Sequence, residues 1–124
     1  MNAVLWIITA LLAVVFAATG LLKLSRPKAA LVKAGQGWAE DVPDAGIKAI
    51  GALEVLGALG LILPALLDTA TVLVPLAAVG LALVMLGAAV THARRGEYPN
   101  MAVNLVLAAL AVFVAVERFG PHAL

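Results

Sequence analysis

Four polar residues in this sequence fall inside long apolar runs or at their ends, where few polar groups are expected. They are Glu54, Lys23, His92 and Asn104. A charge near the middle of a bilayer costs about 2.5–3.5 kcal/mol on insertion scales, so Glu54 needs a partner. Carboxylate and imidazole groups suit proton relays because burial and neighbouring charges can move their pKa values toward neutrality. The four residues are therefore candidates for ligand binding or proton relay.

Each of these residues also has a purely structural interpretation. Glu54 and Asn104 can hydrogen-bond across helices and determine how the helices pack. Lys23 can end a helix and extend its ammonium group toward the lipid headgroups. His92 can be an ordinary residue at the edge of a loop. The residue types alone leave both interpretations open.

The segments that carry these residues have the length and composition of membrane spans. Of the 124 residues, 65% are hydrophobic and 12% are charged, against about 25% charged in an average soluble domain. A hydrocarbon core of about 30 Å needs about 20 apolar residues in a helix. We predict spans at about 3–22, 45–67, 71–91 and 101–117. No Lys or Arg precedes the first span and it exceeds a usual signal-peptide core, so we interpret it as retained.

These spans predict an all-α fold: one integral-membrane domain over residues 1–124, built as a four-helix bundle with antiparallel up-down topology. The turn at Asp68 and Thr69 is so short that the second and third spans should run antiparallel side by side. Small residues in the third span predict close approach of a neighbouring helix in lipid. They are Gly80 and Gly87, together with Ala77, Ala78, Ala82 and Ala88.

The predicted topology brings the four polar residues to a similar depth. Lys23 ends the first span, His92 ends the third, and Asn104 lies about one turn into the fourth. Glu54 lies nine residues past Ala45, roughly 13 Å along the helix axis. Its neighbours three and four residues away are mostly small: Ile50, Gly51, Gly57 and Ala58. We therefore expect Glu54 to point into the bundle.

The distribution of basic residues predicts the orientation of the chain. The third connection carries Arg94 and Arg95, and Lys48 lies at the edge of the first connection, which holds four more basic residues: Lys23, Arg26, Lys28 and Lys33. By the positive-inside rule, both connections are cytoplasmic and both termini face outward. We interpret Arg94 and Arg95 as topology determinants, and Lys48 as extending to the headgroups.

The first connection has two open interpretations. It can form a short helix at the membrane interface, anchored by Trp38, or a solvated basic loop.

Several functional classes find no support in the sequence. The absence of cysteine excludes disulfides, thiolate metal sites and CxxC redox chemistry. A lone histidine and glutamate do not have metal-site spacing, so we predict no metal. Phosphate-loop, deaminase and zincin motifs are absent. A net charge of +1 gives a nucleic-acid partner no electrostatic support.

Three stretches carry a resemblance to a known family: Thr19-Gly20-Leu21-Leu22-Lys23-Leu24, the run from Ile50 to Pro64, and His92-Ala93-Arg94-Arg95-Gly96-Glu97. In their order and spacing the sequence resembles the DoxX-like family of small four-helix bacterial membrane proteins. The resemblance implies a bundle in the bacterial cytoplasmic membrane. By position, the family's Lys, Glu and His fall on Lys23, Glu54 and His92.

The resemblance implies a loose association with respiratory or sulfur redox chemistry. The family name comes from a subunit of a terminal quinol oxidase system, and related members resemble the membrane part of thiosulfate:quinone oxidoreductase. Another branch is linked to an oxidoreductase complex in oxidative-stress defence, and a distant animal relative acts as a receptor-assembly chaperone. Because these functions differ, the resemblance implies the fold rather than one activity.

Three functions follow as hypotheses. The first is an accessory membrane subunit of a quinone-linked or oxidative-stress oxidoreductase, with a polar intramembrane pocket that holds a quinone or lipid. The second is a non-catalytic assembly or binding module, which would dock partner subunits or a second copy in the lipid bilayer. The third is a small transporter or lipid-modifying enzyme, although four helices alone are too few for the alternating-access motion of most transporters. No reaction is specified, so whether the protein is an enzyme stays open.

Overall fold

The computed structural model describes residues 1–124, which form four long helices and two short ones. The elements in chain order are α1 (Asn2–Ser25), α2 (Lys28–Lys33), a 3₁₀ helix (Gly37–Asp41), α3 (Asp44–Leu67), α4 (Leu73–Arg94) and α5 (Tyr98–Phe119). The four long helices are long and apolar enough to cross a membrane. The all-α four-helix fold class is thereby confirmed, while the up-down order and its sidedness stay predictions.

The long helices extend beyond the predicted spans at their polar ends. α4 continues to Arg94, so His92 lies in its last turn rather than at its end. α5 begins at Tyr98 with Pro99 in its first turn, where the missing proline N–H leaves no hydrogen bond unmade. α4 begins only at Leu73 because the preceding connection turns sharply, with left-handed backbone at Asp68 and Ala70.

The long helices pack as a bundle in which α1 contacts α3, α3 contacts α4, α4 contacts α5, and α5 returns to α1. The shared core is apolar, and its largest fully buried side chains include Leu12, Phe16, Leu61 and Leu81. Many large apolar side chains on the outer faces are exposed. That surface suits lipid, which solvates apolar side chains without the penalty that water imposes.

α1 and α3 meet backbone to backbone at two buried glycines. A Cβ atom on Gly20 would lie 2.8 Å from the carbonyl oxygen of Gly51, and one on Gly51 would lie 2.9 Å from the carbonyl oxygen of Gly20. Backbone atoms cannot move aside as a flexible side chain can. The close contact therefore requires glycine on both helices, and it sets Glu54 of α3 against the last turns of α1.

Small residues also lie at the contact of α3 with α4. Some of the small residues that were expected at a helix contact do not lie there. Gly57 lies against Leu81, and Gly60 lies against Ala77. Gly80 and Gly87 were expected to admit a neighbouring helix, and that prediction is wrong: no heavy atom lies within 4 Å of a Cβ built on either. Both glycines are exposed because they lie on faces of α4 that no other helix covers.

The connection between α1 and α3 folds over one end of the bundle. α2 and the 3₁₀ helix pack on each other around a small second core of Leu31, Trp38, Ala39 and Ile47. We call residues Lys28–Asp41 the lid. A short helix does form here, as one of the two interpretations of this connection expected.

At the other end of the bundle, a buried arginine joins the two terminal helices. Arg118 is only 5% exposed, and its guanidinium donates to the side-chain oxygen of Asn2 and to the carbonyl of His122, both at 2.9 Å. Its cationic group also lies 6.0 Å from the ring centroid of Trp6. These contacts tie the start of α1 to the end of α5.

Candidate functional site

Glu54 is almost completely buried, with 1% of its surface exposed, and it has two donors on α1. The Lys23 ammonium donates to one carboxylate oxygen at 2.7 Å, and the Thr19 hydroxyl donates to the other. An ion pair with a further hydrogen bond is the arrangement that offsets the desolvation of a buried charge. The inward orientation predicted for Glu54 is confirmed, and its partner is Lys23.

Thr19 is a site residue that the sequence reasoning missed. It lies four residues before Lys23 on α1, so the two side chains share one face of the helix. Its hydroxyl also lies 3.4 Å from the Phe16 carbonyl, a common alternative bond for threonine in a helix. The four-residue spacing to Lys23 was the available signal, but threonine in an apolar helix is common enough to be passed over.

A cavity of about 540 Å³ lies between the four long helices at the lid end of the bundle. Lys23, Glu54, His92 and Asn104 all line it, so the structure brings together the four residues that the sequence singled out. The remaining lining is largely apolar, with Val15, Phe16, Ile50, Val84, Met85 and Leu107 among its members. The cavity is thus an apolar chamber with a group of polar side chains.

The lid contributes polar and aromatic atoms to the same cavity. Trp38 lines it together with Gln36, whose side-chain oxygen accepts a 2.7 Å hydrogen bond from the Trp38 indole. The Lys23 ammonium lies 5.6 Å from the Trp38 ring centroid, within the range of a cation–π interaction. Trp38 is only 8% exposed. The ring therefore packs inward, beside the Lys23 ammonium of the Lys23–Glu54 pair, and its position at the membrane interface stays a prediction.

His92 belongs to a chain of polar contacts that leads from the cavity to the lid. Its Nδ1 donates to Glu97 at 2.8 Å, because an ionised carboxylate can only accept. Glu97 also faces Arg95, with 3.4 Å between the charged groups, and Arg95 pairs with Asp41 of the lid at 2.5 Å. Arg95, expected only as a topology determinant, is thus also a link between the lid and the α4–α5 connection. Arg94 is exposed and makes no such contact.

Two ionisable groups of the α4–α5 connection are perturbed by their neighbours. The hydrogen bond with His92, followed by that with Arg95, lowers the pKa of Glu97 below its ordinary value of 4.5. The hydrogen bond with Asp41 raises the pKa of Arg95 above its already high ordinary value. Both shifts favour the charged forms, so the contact between lid and connection is ionic at neutral pH.

Asn104 is the site residue without a protein partner. Its side-chain amide nitrogen is buried and donates no hydrogen bond within the chain. A buried polar atom in that state costs about 1–3 kcal/mol, so such atoms call for an explanation. Because Asn104 lines the cavity, a ligand with an acceptor oxygen would satisfy this N–H donor.

Lys48 of α3 contacts the end of α1. Its ammonium group donates to the carbonyls of Lys23 at 2.9 Å and Arg26 at 2.7 Å, at the end of α1. These contacts were not foreseen from the sequence, and the extension of Lys48 to the headgroups stays a prediction. Carbonyls at a helix end have no partner within the helix, and a cation there satisfies them. Lys48 thereby holds α3 to the end of the helix that carries Lys23.

The side chains that line the cavity offer hydrogen-bond donors and an imidazole to a bound molecule. Lys23 and Asn104 supply N–H donors, and neutral His92 has its second ring nitrogen available beyond the bond to Glu97. No group of three or more His, Cys, Asp or Glu side chains is close enough together to hold a metal ion.

A family model described as the DoxX-like family matches residues 7–114. The matched range contains every residue that lines the cavity. No curated protein and no solved structure gives a significant match.

Proposed function

Because the chain belongs to the DoxX-like family of membrane proteins, we propose that it is an accessory membrane subunit of a quinone-linked or oxidative-stress oxidoreductase in the bacterial cytoplasmic membrane. Its cavity holds the head of a quinone or a comparable lipid. The observation that carries the proposal is the unpaired, buried amide nitrogen of Asn104, which lines the same chamber as Lys23 and His92.

The chemistry of the lining fits a quinone head. A quinone ring is apolar on its faces and carries carbonyl oxygens that accept hydrogen bonds at its edge. The apolar lining matches the faces, and the amide of Asn104 and the ammonium of Lys23 are donors for the carbonyls. Glu54 and His92 are groups through which protons that accompany quinone reduction could pass.

The test is purification of the native protein in mild detergent, followed by mass spectrometry of the proteins and lipids that remain bound. We expect quinone in amounts comparable to the protein, together with subunits of a redox enzyme. Asn104→Leu should lose the quinone, because it removes the donor while keeping a side chain of the same branched shape. Ala109→Leu, on an exposed face of the same helix, is the matched control and should retain it.

Two results together would contradict the proposal. One is wild-type protein that carries no quinone. The other is a Glu54→Gln strain whose respiration and oxidant resistance equal those of the wild type.

A second candidate function, a non-catalytic assembly or binding module, is favoured by the contacts between α1 and α3. The Lys23–Glu54 pair and the glycine contact of Gly20 with Gly51 both hold these helices together. On this hypothesis Glu54→Gln lowers the folding yield and the melting temperature, and any loss of activity follows the loss of folded protein. Activity lost at an unchanged melting temperature would count against it.

A further inference from the structure

A second concave surface adjoins the cavity, on the outside of the bundle between α3 and α4. We call this surface the groove; its volume is about 590 Å³. Its lining contains only leucine, glycine, alanine and valine: Leu53, Leu56, Gly57, Gly60, Leu73, Leu76, Ala77, Gly80, Leu81, Leu83 and Val84. The groove therefore has no polar side chain, in contrast to the cavity.

The groove and the cavity share a wall. Leu83 and Val84 of α4 line both of them. Leu83 is 64% exposed, so the junction lies at the lipid-facing surface rather than in the core. Gly80 lines the groove before the junction and Gly87 lines the cavity after it, and neither has a neighbouring atom within 4 Å of a built Cβ. The groove and the cavity therefore meet at a lipid-facing part of α4.

The lid end of the cavity differs from its junction with the groove, because polar contacts hold the residues there. Trp38 and Gln36 of the lid are hydrogen-bonded to each other and line the cavity, and the lid is held by the pair of Asp41 with Arg95. The cations near the cavity are also engaged, Lys23 by Glu54 and Arg95 by two carboxylates. The cavity thus offers a phosphate headgroup only cations that are already paired with carboxylates, whereas the unpaired amide of Asn104 suits an uncharged acceptor.

We propose that the cavity and the groove together form one site for a membrane-dissolved amphiphile, with an uncharged, oxygen-bearing head in the cavity and a hydrocarbon tail in the groove. The ligand reaches the site sideways from the bilayer, past Leu83. This inference deepens the proposed function and rests on it for the presence of a ligand, but it does not require the head to be a quinone.

The probe for this site is a long-chain fatty alcohol with a photoreactive diazirine, in two isomers, used on the protein in lipid nanodiscs. One isomer carries the diazirine beside the hydroxyl group and the other at the tail end. We expect the first to label the cavity residues Phe16 or Met85, and the second to label the groove residue Leu81. All three side chains are buried, so general contact with lipid would not label them. Excess unmodified alcohol should compete with both reactions.

Gly80→Leu tests the groove directly, because it fills the groove where no atom stands in the way. It should lower the competable labelling by the tail-end isomer about tenfold, which corresponds to a moderate loss of binding. Ala109→Leu introduces the same side chain on an exposed face of α5 outside both surfaces and should change nothing.

The wild-type labelling pattern decides the question even if Gly80→Leu folds poorly. The proposal is overturned if neither Phe16 nor Met85 is labelled, if tail-end labelling is spread over all lipid-facing helices without competition, or if folded Gly80→Leu protein is labelled like the wild type. Competable labelling in protein that purifies without quinone would support the two-part site and overturn the quinone assignment, so the two proposals fail separately.

Discussion

At the scale of single residues, the central fact is that Glu54 is buried and paired. Its carboxylate has donors from Lys23 and Thr19 and no access to solvent. A pair of this kind contributes little relative to an apolar replacement of both residues, but removing one partner leaves a buried charge alone. The energetic role of Glu54 can therefore be separated from any role in ligand binding by comparing single and double substitutions.

Lys23→Met should lower the free energy of unfolding by about 3–5 kcal/mol, because it leaves the Glu54 carboxylate buried without a countercharge. The double variant Lys23→Met/Glu54→Leu should recover much of that loss, since neither charge remains. Thermal unfolding of purified protein in detergent measures both. A double variant less stable than Lys23→Met would show that the carboxylate stabilises the bundle by other contacts.

For Asn104 we predict the opposite effect on stability from that of Lys23→Met. In ligand-free protein, Asn104→Leu should leave the melting temperature unchanged or raise it, because the buried amide nitrogen has no partner and its removal relieves a cost of about 1–3 kcal/mol. The same substitution should abolish retention of the ligand. A clear fall in the melting temperature of the ligand-free variant would instead assign Asn104 a structural role.

At the scale of elements, two contacts position the site. The glycine contact between α1 and α3 sets the distance from Lys23 to Glu54, because both residues lie within one turn of it. The lid is held over the cavity by the pair of Asp41 with Arg95, and Arg95 is connected through Glu97 to His92. A substitution that disturbs either contact should change the shape of the cavity, although it replaces none of the residues that line it.

Gly51→Ala should destabilise the protein by about 1–3 kcal/mol, the usual range for overpacking, because its Cβ would lie 2.9 Å from a backbone oxygen of α1. Gly80→Ala is the matched control: it meets no atom within 4 Å and should stabilise its helix by up to about 1 kcal/mol through better propensity. Chemical or thermal unfolding compares the two variants. Equal effects would show that the α1–α3 contact can relax.

The lid contact should weaken in acid. Because the folded state lowers the pKa of Glu97, this group stabilises the fold above its ordinary pKa of 4.5, and the contribution is lost as the pH falls through the lowered value. Fluorescence of Trp38 in a Trp6→Phe background should then report greater exposure to water. Glu97→Gln should show part of that change already at neutral pH, and Glu40→Gln, on an exposed lid residue, should not. An acid transition identical in Glu97→Gln would assign it to another carboxylate.

At the scale of the whole molecule, the chain is a multi-pass membrane protein with two unlike ends. One end carries the lid, the cavity and most of the basic residues, and the other carries the Arg118 contacts between α1 and α5. The positive charge at the lid end predicts that the lid faces the cytoplasm. In that orientation the cavity lies on the cytoplasmic side of the bundle, and the proposed ligand enters it from the bilayer.

The absence of cysteine makes this orientation directly testable. Single cysteines introduced by Lys33→Cys in the lid and Thr69→Cys in the α3–α4 connection both lie at exposed positions. In intact cells, a membrane-impermeant maleimide should label Thr69→Cys and should reach Lys33→Cys only after the cells are opened. The reverse pattern would invert the predicted topology.

The four helices and the inward Glu54 could be predicted from the sequence because both follow from local properties. A span of about 20 apolar residues is recognisable wherever it lies, since the bilayer leaves its backbone no hydrogen-bond partner outside the helix. A carboxylate flanked by Gly51 and Ala58 must face other helices, since lipid tails offer it no hydrogen-bond donor and no countercharge. Counting residues from the ends of the spans also predicted that four polar residues lie at a similar depth: Lys23, Glu54, His92 and Asn104.

The partners of those residues depended on the tertiary structure. Thr19 completes the Glu54 site, Trp38 turns inward, Lys48 binds the end of α1, and Gly80 borders a groove rather than a helix contact. Each of these outcomes depends on how far the helices are rotated and separated, which no residue determines by its own type. Composition and spacing therefore determined a membrane bundle with an inward carboxylate. Only packing between segments distant in the chain decided that this carboxylate borders a largely apolar chamber lined in part by the lid.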